Sequence, residues 1–143
     1  MADVPESVRA LKPVLICAKI EAELVSLSAE EVAEYLQASG ITLTGLDQLA
    51  RAGYETLNLI TFLTTGETET RAWTITRGTK APLAAGVIHT DFIKGFIRVE
   101  VVNWKDLLAA GSWSAARESA KLRIEGKDYV MQDGDVVDFK VGV

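Results

Sequence analysis

The sequence predicts an α+β protein in two parts, a mainly helical leader over residues 1–58 and a sheet-containing domain over residues 59–143. In the leader, apolar residues recur at helical spacing between a helix start signal and a glycine stop. From residue 59 the apolar period shortens towards two, as it does in strands. Two strands, a helix, a third strand, short helices and final strands then follow, an order that matches the ubiquitin-like β-grasp fold.

The first predicted element is a short buried strand over Val14–Ile20, a mostly apolar run that follows Pro13. The strands that would flank it in a sheet are not in this sequence. An unpaired strand exposes backbone N–H and C=O groups that must be paired or covered by other parts of the protein. We therefore expect this segment to be loosely ordered, rearranged or paired with another chain.

Two amphipathic helices are predicted next. Ser28 and Glu31 have the spacing of a capping box, and Gly40 is a typical helix stop. The second helix is predicted to open at Thr44. Its apolar residues at helical spacing are Leu46, Leu49, Ala50, Tyr54 and Leu57.

The sheet-containing domain opens with a predicted β-hairpin. Its strands are Leu59–Thr65 and Arg71–Arg77, and residues 66–69 form the turn. Pro82 then marks the first position of a short helix. The third strand is predicted to be buried on one side, because Ile97, Val99 and Val101 alternate with Arg98 and Glu100.

The last part of the chain is predicted to hold two short helices and a closing meander. Trp104–Ala110 forms a helix ended by Gly111, and Ser114–Lys121 forms another helical piece. Leu122–Val141 contains two turn signals. The second, at residues 132–135, also resembles a fragment of a calcium loop, but the remaining ligands are missing and we expect a hairpin turn.

Two long runs carry a family resemblance. They are RAWTITRGTKAPLAAGVIHTDFIKGFIRVEVV at Arg71–Val102 and LRIEGKDYVMQDGDVVDF at Leu122–Phe139. Both closely resemble the C-terminal TGS domain of the Obg-like ATPases, the YchF family of P-loop NTPases. VLICAKIEAEL at Val14–Leu24 resembles the last strand and purine-facing loop of that family's nucleotide-binding domain. The resemblance implies that residues 1–58 are a remnant of the nucleotide domain and that residues 59–143 are a β-grasp TGS domain.

The phosphate-binding motif of that family is missing from this sequence. No GxxxxGK[ST] run occurs in the 143 residues, although that loop cradles the phosphates and supplies the lysine and the Mg²⁺-binding hydroxyl. We therefore expect this chain to be non-catalytic and to carry no cofactor. The resemblance implies that ATP and magnesium belong to the full-length family protein.

Cys17, Ala18 and Lys19 form the only candidate remnant of a nucleotide site, because they follow the predicted strand where that family's purine-side loop lies. The simpler interpretation is a strand end whose cysteine packs as a small hydrophobe. His89 is the single histidine, and one cysteine with one histidine cannot supply the usual ligands of a zinc site. We expect no metal site and no catalytic residues.

The formal charge of −5 is unevenly distributed along the chain. Residues 1–58 hold four basic and nine acidic residues, whereas the rest of the chain holds eleven of each. A contact with RNA would therefore need a local basic patch in the second part, and no DNA partner is expected. The candidate partner or RNA contacts are Arg71, Arg77, Lys80, His89, Lys94 and Arg98. The alternative is an ordinary solvated surface, since carboxylates are interspersed among these residues.

We expect a cytoplasmic protein with no membrane segment. The longest apolar runs are far shorter than the roughly 20 residues that cross a bilayer, the start lacks a secretory signal, and one cysteine cannot form an internal disulfide. The resemblance implies docking or regulation at the ribosome, through rRNA or a ribosomal protein. One alternative is completion of a separately encoded nucleotide domain in trans. Another is a homodimer formed through the orphan strand.

Overall fold

The computed structural model describes residues 5–11, 13–66 and 68–142. The chain divides into two compact units, Met1–Thr56 and Leu57–Val143. Each unit is described by itself below. No helix among the described residues is long and apolar enough to cross a membrane.

The first unit is helical. Its elements are α1 (Glu6–Arg9), α2 (Ala18–Leu24), α3 (Ala29–Ala38) and α4 (Gly45–Thr56). The predicted strand over Val14–Ile20 is wrong, because residues 13–17 have no regular structure and α2 begins inside the predicted range. The described part of this unit contains no other strand with which such a segment could pair. The sequence AKIEAEL is instead rich in good helix formers and folds locally.

The predicted capping box at the start of α3 is confirmed. The backbone N–H of Ser28 donates to Glu31 Oε2 at 2.8 Å, and the backbone N–H of Glu31 donates to Ser28 Oγ at 3.3 Å. The backbone hydrogen bond that Ser28 donates to the Glu31 carboxyl, followed by a contribution from the Ser28 side chain, lowers the pKa of that carboxyl. Gly40 has φ +66° and follows the end of the helix, as its predicted stop role requires.

The second unit is built around a five-stranded sheet. Its elements in chain order are β1 (Leu59–Thr65), β2 (Thr70–Thr76), α5 (Ala81–Ile88), α6 (Asp91–Gly95), β3 (Phe96–Asn103), α7 (Trp104–Ala110), α8 (Trp113–Glu118), β4 (Arg123–Glu125) and β5 (Asp135–Val141). The strand order is β2-β1-β5-β3-β4. β1 pairs with β5 in parallel, and the other neighbours are antiparallel.

The prediction of a closing meander is wrong. β4 and β5 do not pair with each other, because they lie on opposite sides of β3. Residues 126–134 carry the chain past β3, and Val130 forms an isolated bridge with Lys80 on the way. The turn before β5 contains Gly134 with φ +80° but does not join two paired strands. In this connection Asp133 Oδ1 accepts a hydrogen bond from the backbone N–H of Thr61 at 2.8 Å.

Two apolar clusters cover the two faces of the sheet. The larger contains Ile60, Phe62, Val99 and Val137 and packs against the small residues of α5. The smaller contains Val102, Ala116 and Val136 and lies under α7 and α8.

The third strand therefore differs from its prediction, because it is buried on both faces rather than one. A register shift between Phe96 and Arg98 leaves Ile97 58% exposed, while Glu100 is only 8% exposed. The Glu100 carboxylate is held by Arg117 of α8, whose Nη2 lies 2.8 Å from its Oε2. The alternation of apolar and charged residues predicted burial of one face only, because it does not reveal that α7 and α8 cover the other face.

Helix ends in this unit follow the sequence signals with small shifts. Pro82 is the second residue of α5 rather than the first. Gly111, at φ +78°, ends α7 as predicted. The next helix starts one residue earlier than predicted, because Ser112 Oγ accepts from the backbone N–H of Ala115 at 3.1 Å, and it ends earlier, at Glu118.

Candidate functional site

In the first unit, the predicted nucleotide-side residues lie at the start of α2. Cys17 is exposed and immediately precedes the helix. Lys19 points into solvent, with its Nζ 4.0 Å from Glu23 Oε1 one turn later. Ala18 is the first helical residue. The segment is therefore a helix start rather than a loop after a strand.

A cavity of about 230 Å³ lies beside this helix start. Its lining residues are Leu15, Cys17, Ile20, Glu21, Leu36, Ile41, Leu43, Thr44, Gly45 and Gln48. Glu21 Oε1 accepts a hydrogen bond from the backbone N–H of Gly45 at 2.7 Å. A Cβ at residue 45 would lie 2.7 Å from Ile16 Cγ2, so only glycine allows this approach. The Glu21 contact ties α2 to the start of α4.

No group of three or more His, Cys, Asp or Glu side chains that could hold a metal ion occurs among the described residues. His89 Nδ1 accepts a long hydrogen bond from the backbone N–H of Asp91 at 3.3 Å. Its ring also lies against that of Phe92, with centroids 5.7 Å apart. The single histidine thus closes the short loop after α5.

Three of the six predicted contact residues have a carboxylate beside them. Arg71 Nη2 lies 2.9 Å from Glu69 Oε1, and His89 Nδ1 lies 3.6 Å from Asp91 Oδ2. Lys80 Nζ lies 2.7 Å from an oxygen of Asp128 and lowers the pKa of that carboxyl, mainly through the hydrogen bond. These pairs are exposed and contribute little to stability.

The structure does not gather all six residues into one patch. Arg71 and Arg77 lie six residues apart along β2, which separates them by roughly 20 Å at the rise of an extended strand. Lys80 lies near Arg77, three residues further along the chain and at the same end of the second unit. Arg98 lies on β3 with Lys140 directly opposite it on β5. Arg71, His89 and Lys94 remain as a smaller group at the other end.

The same end of the second unit contains a feature that the sequence analysis missed. A cleft of about 270 Å³, here named the β1–β5 cleft, is lined by Thr64, Thr65, Gly66, Ile88, Phe92, Val137, Asp138 and Phe139. It opens because β1 pairs with β5 only as far as Thr64 and Val137. β3 stays paired with β5 as far as Val141.

Two of the three cations, Arg71 and His89, are connected to the lining of the β1–β5 cleft by contacts. Arg71 lies directly opposite Thr64, and its Cζ is 5.3 Å from the centroid of the Trp73 ring. Trp73 Nε1 in turn donates to Thr64 Oγ1 at 2.9 Å. His89 contacts Phe92, and Lys94 follows Phe92 by two residues in α6. No local sequence signal reveals this group, because it depends on β5 returning beside β1.

A second missed feature is a buried carboxylate at the opposite end of β5. Asp135 is 2% exposed, and its Oδ2 accepts hydrogen bonds from Tyr129 Oη at 2.8 Å and from the backbone N–H of Gln132 at 2.9 Å. Arg123 Nη2 donates to Tyr129 Oη at 3.0 Å. Burial and the Asp135 hydrogen bond raise the pKa of Tyr129 to about 12. This chain of hydrogen bonds connects β4 and the following connection to the start of β5.

The fold of the second unit defines a small mixed α and β domain that follows a helical segment. Residues 59–142 match the family YchF-GTPase_C, described as a protein of unknown function (DUF933). The chain belongs to this family of YchF C-terminal domains. The resemblance recognised in the sequence is confirmed.

Named relatives and a solved structure extend this result. The chain is 52% identical over 130 residues to "Ribosome-binding ATPase YchF" of Bacillus subtilis, a match covering 91% of this chain and 36% of that protein. It is 47% identical over 121 residues to "Obg-like ATPase 1" of Pongo abelii, covering 85% of this chain and 30% of that protein. The solved YchF GTPase of Schizosaccharomyces pombe superposes with a TM-score of 0.78 at 40% identity, over 87% of this chain and 33% of that one.

The chain spans about a third of the length of the relatives it matches.

Proposed function

We propose that this chain is the C-terminal module of a YchF-type, ribosome-associated ATP- or GTP-binding protein, and that the second unit is its β-grasp TGS domain. The single observation that carries the proposal is the match of residues 59–142 to the YchF C-terminal family. The strand order β2-β1-β5-β3-β4, with β1 parallel to β5 and α5 on one face, supports the β-grasp assignment. The first unit is then the end of the nucleotide-binding domain.

The proposed role is docking and regulation rather than catalysis. The sequence has no GxxxxGK[ST] run to hold phosphates. Tyr129, whose pKa is raised to about 12 by burial and by its hydrogen bond to Asp135, serves the fold. In the full-length protein ATP and magnesium would bind to the preceding nucleotide domain. Such a protein would work in the cytoplasm.

The proposed partner is the ribosome, through rRNA or a ribosomal protein. Relatives whose sequences are about 50% identical to this chain are named ribosome-binding ATPases, and the matches span about 90% of this chain. The second unit supplies a rigid sheet with exposed cations at both ends, whereas the first unit is strongly acidic. Phosphate contacts therefore fit the second unit better.

Co-sedimentation of the chain with bacterial ribosomes across a salt series tests this function. We expect binding at low salt that weakens as salt rises, and that weakens further in Lys80→Glu and His89→Ala. Arg51→Glu, on the exposed surface of α4, makes the same charge change as Lys80→Glu in the first unit and should bind like the unaltered chain. Absence of binding at low salt would contradict the proposal.

A second candidate is association of the first unit with another polypeptide, either a nucleotide-binding domain in trans or a second copy. The strand on which that hypothesis first rested does not form. What favours it instead is α4, on which Leu46 and Leu49 are 69% and 51% exposed although they lie on the apolar side of the helix. Light scattering over a concentration series tests the second-copy form, because a monomer at all concentrations would contradict it.

A further inference from the structure

The β1–β5 cleft is a fork in the sheet, at which two strands separate while each remains paired on its other side. β1 and β5 are paired only as far as Thr64 and Val137. Beyond that point β1 stays paired with β2 up to Thr65, and β5 stays paired with β3 up to Val141. Both strands therefore keep an extended backbone beside the cleft, and each has an edge that faces it.

The groups on the free edge of β5 follow from the direction of its backbone. The N–H of Trp104 donates to the C=O of Gly134 at 3.0 Å, so even-numbered residues along β5 direct their backbone groups towards β3. This direction alternates from one residue to the next in an antiparallel pair. The N–H and C=O groups of Phe139 and Val141 therefore point away from β3, towards the cleft.

The backbone N–H of Phe139 is left without a partner at this fork. The N–H of Gly134 donates to the C=O of Thr61 at 2.8 Å, so odd-numbered residues of β1 face β5. The next bond of this ladder would join the N–H of Phe139 to the C=O of Thr65, but the register ends before it. The described residues provide no other backbone acceptor for this N–H. Such groups are normally satisfied by another strand or by water.

An apolar wall covers one side of the β1–β5 cleft. It is formed by Ile88, Phe92 and Phe139, which pack against the main core. Gly86 lets α6 approach α5 closely, because a Cβ at residue 86 would lie 2.5 Å from Ile93 Cγ1. This approach holds α6 against α5 and places Phe92 beside the cleft. An apolar side chain fits against this wall.

The other side of the β1–β5 cleft is polar. Thr65 and Asp138 belong to the opposite face of the sheet, because side chains alternate along a strand. Asp138 is the only charged residue among the described residues that line the cleft. Its carboxylate contacts Lys140 through Oδ2 and has about four lone-pair sites, so it can accept further hydrogen bonds. This side therefore favours a hydrogen-bond donor or a cation over an anion.

The size of the β1–β5 cleft also limits its occupant. Its volume of about 270 Å³ lies below the range of about 300–1,000 Å³ that is typical of sites for whole small molecules and cofactors. A side chain with its adjoining backbone fits this space.

We propose that the β1–β5 cleft binds an extended segment of a partner protein, which pairs with the free edge of β5 and places one apolar side chain against Phe92. In strand addition of this kind, main-chain hydrogen bonds give affinity and pockets for alternate side chains give specificity. The residues next to the apolar one would carry donors or cations that face Asp138. This inference rests on the proposed docking function and names a ribosomal protein, rather than rRNA, as the partner at this site.

Binding of a decapeptide of alternating valine and lysine to the full chain tests the strand site. Two control peptides have the same sequence but carry N-methyl groups, one on every valine and the other on every lysine. They keep the charge that could attract any peptide to the acidic first unit, but each lacks alternate backbone donors. We expect at least one of them to bind about tenfold more weakly, because it loses backbone hydrogen bonds to β5. Equal affinities of all three peptides would overturn the proposal.

Substitutions in the cleft test its two sides. Phe92→Ala should weaken binding of the unmodified peptide about fivefold, because the apolar wall is lost. Asp138→Asn should weaken it about two- to fivefold, as expected for an exposed ion pair. The matched changes Leu108→Ala on α7 and Asp128→Asn, both at exposed positions, should leave binding unaltered. Unchanged affinity of both cleft variants would overturn the proposal.

Amide NMR spectra of the unaltered chain with the unmodified peptide keep the test valid if Phe92→Ala unfolds. We expect shifts at Thr65, Gly66, Phe139 and Val141, and slower hydrogen exchange at the N–H of Phe139. Shifts confined to the first unit, no peptide binding, or the same shifts with single-stranded RNA would each overturn the strand site. Ribosome co-sedimentation without peptide binding would overturn it and leave the docking function intact. Peptide binding without co-sedimentation would support the strand site and contradict the docking function.

Discussion

The two units of this chain bury their apolar residues very differently. Of the buried apolar residues in the described part of the chain, Leu24 alone belongs to the first unit, whereas the others form two clusters in the second. The first unit nevertheless contains a strongly amphipathic helix, α4, whose leucines are exposed. The second unit covers both faces of its sheet with its own helices.

This difference shows which unit can fold on its own interactions. Burial of apolar surface is the main favourable term in folding, and tertiary packing rather than propensity stabilises most helices. The second unit buries apolar side chains on both faces of its sheet through contacts among its own elements. The first has local signals, such as its capping box, but little core.

The largest expected difference between the units is in the loss of stability when one apolar side chain of each unit is truncated to alanine. Phe62 is 0% exposed and stacks between Trp73 and Phe139, so Phe62→Ala should lower the free energy of unfolding by about 3–5 kcal/mol. Leu49→Ala in α4 should change it by less than about 0.5 kcal/mol. Denaturant unfolding measures both changes when two signals are followed: tryptophan fluorescence for the second unit, which holds all three tryptophans, and far-ultraviolet circular dichroism, which includes the helices of the first unit. Similar effects of the two changes would show that α4 has a buried partner.

A smaller loss is expected at the buried carboxylate of the second unit. Asp135→Ala leaves Tyr129 Oη and the backbone N–H of Gln132 without their acceptor in a buried site. We expect a cost of about 2–3 kcal/mol in the free energy of unfolding. The matched change Asp133→Ala, at an exposed carboxylate in the same connection, should cost less because its acceptor oxygen serves one amide. The reverse order in chemical denaturation would contradict this assignment.

The contact between Glu100 and Arg117 should contribute less again. Arg117→Ala leaves a carboxylate that is only 8% exposed without its cation, and we expect a loss of about 1–2 kcal/mol in thermal or urea unfolding. Arg98→Ala removes an exposed cation from the same strand region and should be nearly neutral. Equal losses would mean that Arg117 contributes by packing rather than by charge.

The smallest expected effect is a pH dependence at Tyr129. Its folded-state pKa of about 12 lies above the ordinary value of 10.0, so its contribution to stability is complete below pH 10 and is lost as pH rises towards 12. The unaltered chain should therefore lose more stability over this interval than Tyr129→Phe, which has no ionisable hydroxyl. Parallel unfolding curves at stepped pH values make the comparison. If the unaltered chain and Tyr129→Phe lost the same stability between pH 10 and 12, folding would not raise the pKa of Tyr129.

Local sequence signals predicted those elements whose stability is local. The capping box at Ser28 and the stop at Gly111 follow from hydrogen bonds or backbone freedom within a few residues. The limits of β1 follow from the apolar period and the turn of a hairpin whose two strands are neighbours in the sequence. The family resemblance also came from the sequence and is confirmed by the matched family.

Non-local features could not be predicted in the same way. Val14–Ile20 was apolar enough for a strand but lacks a described partner, so local helix propensity prevailed at Ala18. The meander failed because β4 and β5 flank β3, which no turn signal specifies. The β1–β5 cleft arises from the point at which two strands distant in sequence separate, so its residues share no motif.

Amide hydrogen exchange of the full chain, alone and with bacterial ribosomes, tests the central claim that the second unit is the stable docking module. In the free chain we expect slow exchange in β1, β3 and β5 and much faster exchange in α2, α3 and α4. On the ribosome, protection should increase around Thr64–Gly66 and Ile88–Lys94 while the first unit stays unchanged. Protection that increased only in the first unit would contradict the account.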